Sequence, residues 1–206
     1  MPSERFHTVL LFGVPGVGKG TQGRILGQIP GFYHLSCGEV FRSLDINSPE
    51  GREVYRYTSK GILVPDEITI GIWKRHLDGQ RMISSFKPHE DLLILDGIPR
   101  SRQQAEILEQ YVDVLKVVHL KSIDTEAMVH RIRRRAIREN RVDDAHDEII
   151  RNRFFVYENE TRPVLEYYPS RLITEVDAFG SPAEVLLKVL QCVIPVQNKH
   201  FRKEED

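Results

Sequence analysis

Only two cysteines, Cys37 and Cys192, occur in 206 residues, and neither has a neighbour at metal-ligand spacing. That scarcity argues against a disulfide scaffold and for a reducing, intracellular setting. Net charge is equally small: 29 lysines and arginines against 30 acids leave −1, which argues against a nucleic-acid binder built on overall charge. Long hydrophobic runs are missing. The longest, Val185 to Ile194, contains Lys188 and Gln191 and falls well short of the ~20 residues that span a bilayer. The apolar run near the N-terminus ends in a glycine-rich turn, so it reads as a strand and not as a signal peptide. There is no internal repeat and no low-complexity segment. What is present is 40% apolar residues, enough for a real core, at a length suited to one domain with small inserted lobes.

The chain is organised around Gly13-Val14-Pro15-Gly16-Val17-Gly18-Lys19-Gly20-Thr21-Gln22. The apolar run Thr8 to Phe12 before it predicts a buried strand. Gln22 to Gln28 after it can be helical until Pro30. Strand, glycine-rich turn and helix are the context that makes such a stretch a phosphate loop. Backbone without Cβ lets N–H groups turn inward around an anion. Lys19 supplies a point charge for β- and γ-phosphates, and the helix N-terminus adds its dipole. The hydroxyl that usually follows the lysine comes one step late, at Thr21, because Gly20 intervenes. A glycine-rich turn without a ligand is the plainer alternative.

Tyr33 to Leu35 predicts a second strand, followed by a turn into a helix through Arg42. Ser48 can cap a helix with Pro49 in its first turn, ending at Gly61. Pro65-Asp66-Glu67 leads into another, ending near Gly79. These short helices between two strands exceed what a crossover needs, and residues 36–65 read as a small lobe. Asp91 to Leu95 predicts a strand buried on both faces, with Asp96-Gly97-Ile98-Pro99-Arg100 at its carboxyl end. A helix is expected over Ser101 to Gln110 and a strand over Val114 to Leu120. Asp124 can cap a long basic helix toward Arg138. Asp144 can cap the next, which Pro163 interrupts. A strand over Arg171 to Val176 precedes the capping box Ser181-Pro182-Ala183-Glu184 of a last helix. From Pro195 to residue 206 a loose polar tail is expected. Alternating strands and helices predict an α/β fold: a five-stranded parallel sheet in three layers, with helices on both faces.

Arg42, Arg100, Arg131, Arg135, Arg141 and Arg153 are the arginines to weigh. Guanidinium forks suit phosphate oxygens better than ammonium groups do. Arg131 and Arg135 share one helical face, although Arg133, Arg134 and Arg138 also allow a merely solvated basic helix. A nucleic-acid patch is a further alternative, which Asp143, Asp144, Asp147 and Glu148 weaken. Asp96, ending a strand beside the phosphate loop, suits an acid that orients magnesium through water; the plainer alternative is a cap or turn residue before Gly97. No Ser/His/Asp or Cys/His set suggests a nucleophile.

The loop Gly-x-Pro-Gly-x-Gly-Lys-Gly-Thr-Gln resembles that of the adenylate kinase family of nucleoside monophosphate kinases. Further motifs follow in the family's order over residues 8 to 190. Ser36-Cys37-Gly38-Glu39 with Arg42 is similar to its Ser-Thr-Gly-Asp stretch, with cysteine for threonine and glutamate for aspartate. Gly61 to Glu67 is similar to Gly-x-Leu-Val-Pro-Asp-Glu. Asp96 to Ala105 is similar to Asp-Gly-Phe-Pro-Arg followed by Gln-Ala. Arg131, Arg135, Arg141-Val142-Asp143-Asp144 and Arg153 match its lid-flanking arginines.

The resemblance implies ATP plus AMP giving two ADP, with Mg2+ at Asp96. Gly16, Val17, Gly18, Lys19, Gly20 and Thr21, with Arg135, would hold the ATP phosphates. Arg131 would lie by the donor base, and Ser181 would also belong to the ATP site. Cys37, Arg42, Ile62, Leu63, Val64, Gly97, Ile98, Pro99, Arg100, Arg141 and Arg153 would form the AMP site. Lys19, Arg100, Arg135, Arg141 and Arg153 would be the catalytic set. Gln104 sits where the family reads adenine, although Ser101-x-x-Gln104 is also a capping box onto the N–H of Ser101. A short lid, 134–147, lacks cysteine, so no zinc is expected. The resemblance further implies a cytoplasmic monomer acting on ATP and AMP, with no nucleic-acid or membrane partner. A uridylate/cytidylate kinase, or a nucleotide-binding regulatory module without transfer activity, are the alternatives.

Overall fold

The computed structural model describes residues 5–122, 124–139, 141 and 146–201. Five strands make one all-parallel sheet in the order β2-β3-β1-β4-β5. They are β1 (Phe6–Gly13), β2 (Phe32–Ser36), β3 (Leu92–Asp96), β4 (Val112–Lys121) and β5 (Ile173–Asp177). The helices between them are α1 (Lys19–Leu26), α2 (Cys37–Ser43), α3 (Pro49–Thr58), α4 (Asp66–Met82), α5 (Arg102–Leu108), α6 (Thr125–Arg138) and α7 (Asp147–Val156). The last is α8 (Pro182–Phe201).

The central strands β1 and β3 are largely apolar on both faces because each face is covered. Along β1, Leu10 and Phe12 join Leu35, Leu93, Leu95, Trp73 and Phe86 on one side. Val9 and Leu11 join Leu26, Ile94, Val118, Leu120, Val189 and Val193 on the other. Burying each such side chain contributes about 1.5–3 kcal/mol. The three-layer arrangement expected from the alternation of elements follows. The sheet order places β1 between β3 and β4, with Leu11 beside Asp96. The connection after β1 runs to one side, to β2, and the connection after β3 runs to the other, to β4; in open α/β sheets a crevice for ligands forms between two such strands.

Local signals hold at most boundaries. Ser48 accepts from the N–H of Gly51 with Pro49 opening α3, and Asp124 accepts from the N–H of Ala127 to start α6. Ser181 and Glu184 form the reciprocal capping box of α8. Asp144 lies outside the described residues, as do Val142 and Asp143; the described helix α7 begins after His146.

Two expectations are corrected. The helix expected to end near Gly79 continues to Met82, because Leu77 and Trp73 anchor it in the core and one interior glycine costs only about 1 kcal/mol. The interruption expected at Pro163 is present: the regular helix α7 ends at Val156 and the chain continues through a wide turn at Tyr157–Thr161 and a tight one at Arg162–Tyr167, since proline cannot donate into a regular helix. The loose tail expected from Pro195 is helical to Phe201. Losing one N–H to Pro195 is offset by Val189 and Val193 in the core. Beyond it, Gln197 Nε2 donates to Pro30 O at 2.9 Å, and His200 Nδ1 meets His7 Nδ1 at 3.0 Å.

Candidate active site

The loop between β1 and α1 wraps the carboxyl edge of the sheet. Gly18 is the N-cap of α1 in the left-handed region, φ 110°. Nothing lies within 4 Å of where its Cβ would stand, so the loop is open on that side. Gly16 faces the other way, where a Cβ would come within 2.8 Å of Met128 O in α6. The loop is thus clamped by α6 behind and open in front, at a helix N-terminus whose N–H groups and dipole favour an anion. Lys19 Nζ donates to Gly13 O and, at 3.2 Å, to Val14 O. It lies folded along the crown of the loop. Val17 is buried and Thr21 is exposed on the first turn of α1.

Asp96 ends β3 beside the loop. It is 7% exposed, accepts from Ser36 Oγ at 3.4 Å, and its Oδ2 stands 3.4 Å from where Gly20 would carry a Cβ. One carboxylate against a phosphate loop fits magnesium carried in by a nucleotide, which is commonly held by one or two carboxylates plus phosphates. Among the described residues, no group of three or more His, Cys, Asp or Glu could hold a metal.

Lys19 reports the charge of the whole site. Its ammonium is pushed down from 10.5 to about 8, chiefly by burial; Asp96 opposes the shift, and Arg100, Arg135 and Arg153 reinforce it. Three arginines, from the loop after β3, α6 and α7, therefore act on Lys19 of α1. Bringing cations together without an anion is unfavourable, and the arrangement is relieved when phosphates arrive. An expected result follows for pH. Below about pH 8 the ammonium is charged and triphosphate affinity is flat. Above it the free protein must take up a proton to bind, so ATP affinity falls, approaching about tenfold per pH unit. Calorimetric titration in two buffers of different ionisation enthalpy checks this; constant affinity and no proton uptake up to about pH 9.5 would contradict it.

The other side of the edge carries the residues expected around the acceptor. Cys37, 2% exposed, has its thiol pushed up to about 12 by burial, with Arg100, Asp96 and Arg42 close enough to act on it. It stays neutral and is no nucleophile. Arg42 curls over Gly38. Arg100 Nε donates to Gly97 O at 2.9 Å, beside buried Ile98 and Pro99. Gly61 packs on Ile149 O and the stem of Arg153, and Asn152 Nδ2 donates to Lys60 O at 2.8 Å. These contacts bring Arg153 to the Gly61–Val64 turn, in which Val64 is buried, Leu63 half-buried and Ile62 exposed.

The remaining expected residues are placed less centrally. Arg131 is exposed on α6, one turn before half-buried Arg135. Ser181 is exposed and serves its capping box, although Gln22 Nε2 donates to Pro182 O at 3.0 Å and ties that helix start to α1. Arg141 is nearly covered and pairs with Glu139, whose carboxyl burial pushes up but Arg141, Arg138 and Arg24 pull lower overall. Gln104 does not fold back onto Ser101 N–H. Its Oε1 accepts from Arg100 N–H at 2.7 Å and its Nε2 donates to Asp66 at 2.7 Å. Sequence reading missed Asp66, Ser36 and Glu139 as partners of site residues. Asp66 looked like a helix-start acid, and nothing local ties it to a residue 38 positions away.

Comparison with known proteins gives a consistent picture. The family model described as adenylate kinase matches residues 11–173. The chain is 35% identical over 191 residues to the adenylate kinase of Kocuria rhizophila, covering 88% of this chain and 96% of that protein. It is 35% identical over 190 residues to that of Thermus thermophilus, covering 89% and 95%. It is 36% identical over 191 residues to that of Mycobacterium tuberculosis, covering 90% and 98%.

Proposed function

The chain belongs to the adenylate kinase family and is a nucleoside monophosphate kinase of that type; from this premise we propose how its own residues transfer the γ-phosphoryl group of ATP to AMP, giving two ADP. The observation that carries the reading is the convergence of Lys19, Arg100, Arg135 and Arg153 with Asp96 at the carboxyl ends of β1 and β3.

Transfer between nucleotides needs little covalent help. The acceptor phosphate is already anionic, so no general base is required, and the work is positioning and charge neutralisation. Residues 16–21 cradle the donor phosphates on backbone N–H groups. Lys19 leaves the Gly13 and Val14 carbonyls for the β- and γ-oxygens. Arg135 sits over the donor phosphates, with Arg131 and Ser181 on the donor side. Arg42, Arg100, Arg141 and Arg153 hold the acceptor phosphate or the group in flight. Cys37, Ile62, Leu63, Val64, Gly97, Ile98 and Pro99 line the acceptor pocket, where Gln104 reads the base. Asp96 would hold the magnesium that accompanies ATP, which would supply further positive charge to the donor phosphates.

The lobe 36–65 and the lid 134–147, whose residues 140 and 142–145 lie outside the described residues, are proposed to close over the pair and exclude water, which otherwise competes with AMP. The lid needs no zinc, and metal analysis of the purified protein is expected to find none at stoichiometric level. A monomer acting in the cytoplasm completes the proposal. Among the described residues no helix is long and apolar enough to cross a membrane.

The test is ADP formation from ATP with AMP, CMP, UMP or GMP as acceptor. AMP is expected to give the highest kcat/KM. Preference for CMP or UMP points to a uridylate/cytidylate kinase and rejects adenine reading. Binding without any turnover leaves a regulatory module.

A further inference from the structure

Gln104 is 2% exposed, and both ends of its amide are engaged. Oε1 accepts from the backbone N–H of Arg100 at 2.7 Å, and Nε2 donates to Asp66 Oδ1 at 2.7 Å. The second Asp66 oxygen accepts from Ser101 Oγ at 2.8 Å, and that hydroxyl accepts from the N–H of Gln104 at 3.0 Å. The partners decide which end of the amide is which, because a backbone N–H only donates and a carboxylate only accepts. Turning the amide by 180° would set its oxygen against a carboxylate and its NH2 against an N–H. Two buried hydrogen bonds would become two repulsive contacts.

Each end keeps spare capacity: one lone pair on Oε1 and one N–H on Nε2. Adenine offers an amino donor at C6 beside an acceptor ring nitrogen. A 6-oxo purine offers an acceptor oxygen at the same place. A glutamine free to flip can satisfy either base. A pinned one can satisfy only one of them.

We propose that Asp66 is a positioning residue for base choice. Together with the Arg100 N–H it fixes the direction of the Gln104 amide, and so makes the acceptor site favour 6-amino over 6-oxo purine monophosphates. The inference rests on the acceptor-site role of Gln104 proposed above and adds what gives that residue its selectivity.

The test compares kcat/KM for AMP and IMP, with ATP as donor, in the wild type, Asp66→Asn, Gln104→Ala and the double variant. Asparagine can donate or accept, so one of the two contacts that set the amide's direction is released and only the Arg100 N–H still opposes the flip. The AMP-to-IMP ratio is expected to fall roughly tenfold in Asp66→Asn, the scale of one base-edge hydrogen-bond pair. The change should fall mainly on KM, and the double variant should be no less selective than Gln104→Ala alone. A structural role for Asp66 would lower activity toward both acceptors alike and leave the ratio in place. If Asp66→Asn does not fold, Asp66→Ser replaces it, since a hydroxyl also donates or accepts. An unchanged ratio in the folded variant overturns the proposal. So does a ratio that falls with Asp66→Asn but not with Gln104→Ala. Wild-type protein that transfers nothing to AMP overturns the acceptor-site reading itself, a failure seen before any variant is made.

Discussion

Lys19→Ala is expected to lower turnover roughly a hundredfold or more, the scale for removing one preorganised electrostatic stabiliser, while the protein stays folded. The two halves of this expectation have separate causes. Lys19 lies on the crown of the loop, from where its charge can move off the Gly13 and Val14 carbonyls to the bridging region of the donor phosphates. Its contribution to the empty fold is small, because desolvation has already lowered its affinity for a proton to about 8. Removing an ammonium that Arg100, Arg135 and Arg153 repel relieves the ligand-free protein. Turnover is read by coupled ADP detection and folding by circular dichroism and thermal midpoint. Near-wild-type turnover would sink the phosphate-loop assignment. Lost turnover together with a collapsed midpoint would show that the lysine is structural.

Gly13→Ala acts in the opposite manner, through the fold. Gly13 has φ 147°, and a Cβ there would stand 2.4 Å from Leu120 O and 2.8 Å from a methyl of Val17. The carbonyl belongs to β4, paired with β1 at that position, so it cannot swing aside as a side-chain end could. Backbone strain of ~1–3 kcal/mol and overpacking of ~1–3 kcal/mol add to roughly 3 kcal/mol or more. In a chain of this length that corresponds to a fall in thermal midpoint of about 6–12 °C. Gly18→Ala is the control. Its Cβ would meet nothing within 4 Å, so only the strain of φ 110° remains and the loss should be about half. Equal midpoints for Gly13→Ala and wild type would mean that β1 and β4 separate more easily than their register implies.

The sequence by itself determined the parts that depend on neighbours in the chain. Helix starts at Ser48, Asp124 and Ser181 are readable because a cap bonds an N–H three residues on, and both partners lie within one turn. The phosphate loop is readable for the same reason: glycines, lysine and helix start are contiguous. The parallel sheet follows from alternating apolar runs and helices, since strands covered on both faces must be apolar throughout.

Tertiary structure decided whatever depends on partners far apart in sequence. Gln104 is held by Asp66, 38 residues away, so a local capping pattern gave the wrong partner for its side chain. Pro195 is carried inside α8 because His7 and Pro30 meet that helix beyond it, and proline's local preference to stop a helix is outweighed. Cys37 takes its neutral character from burial, and Lys19 takes its lowered proton affinity from burial and from arginines on three other elements. The sheet order fixes these neighbours. Local hydrogen bonds reach only one turn along the chain, whereas packing and Coulomb fields act through space and exist only once the crossovers have brought those residues together.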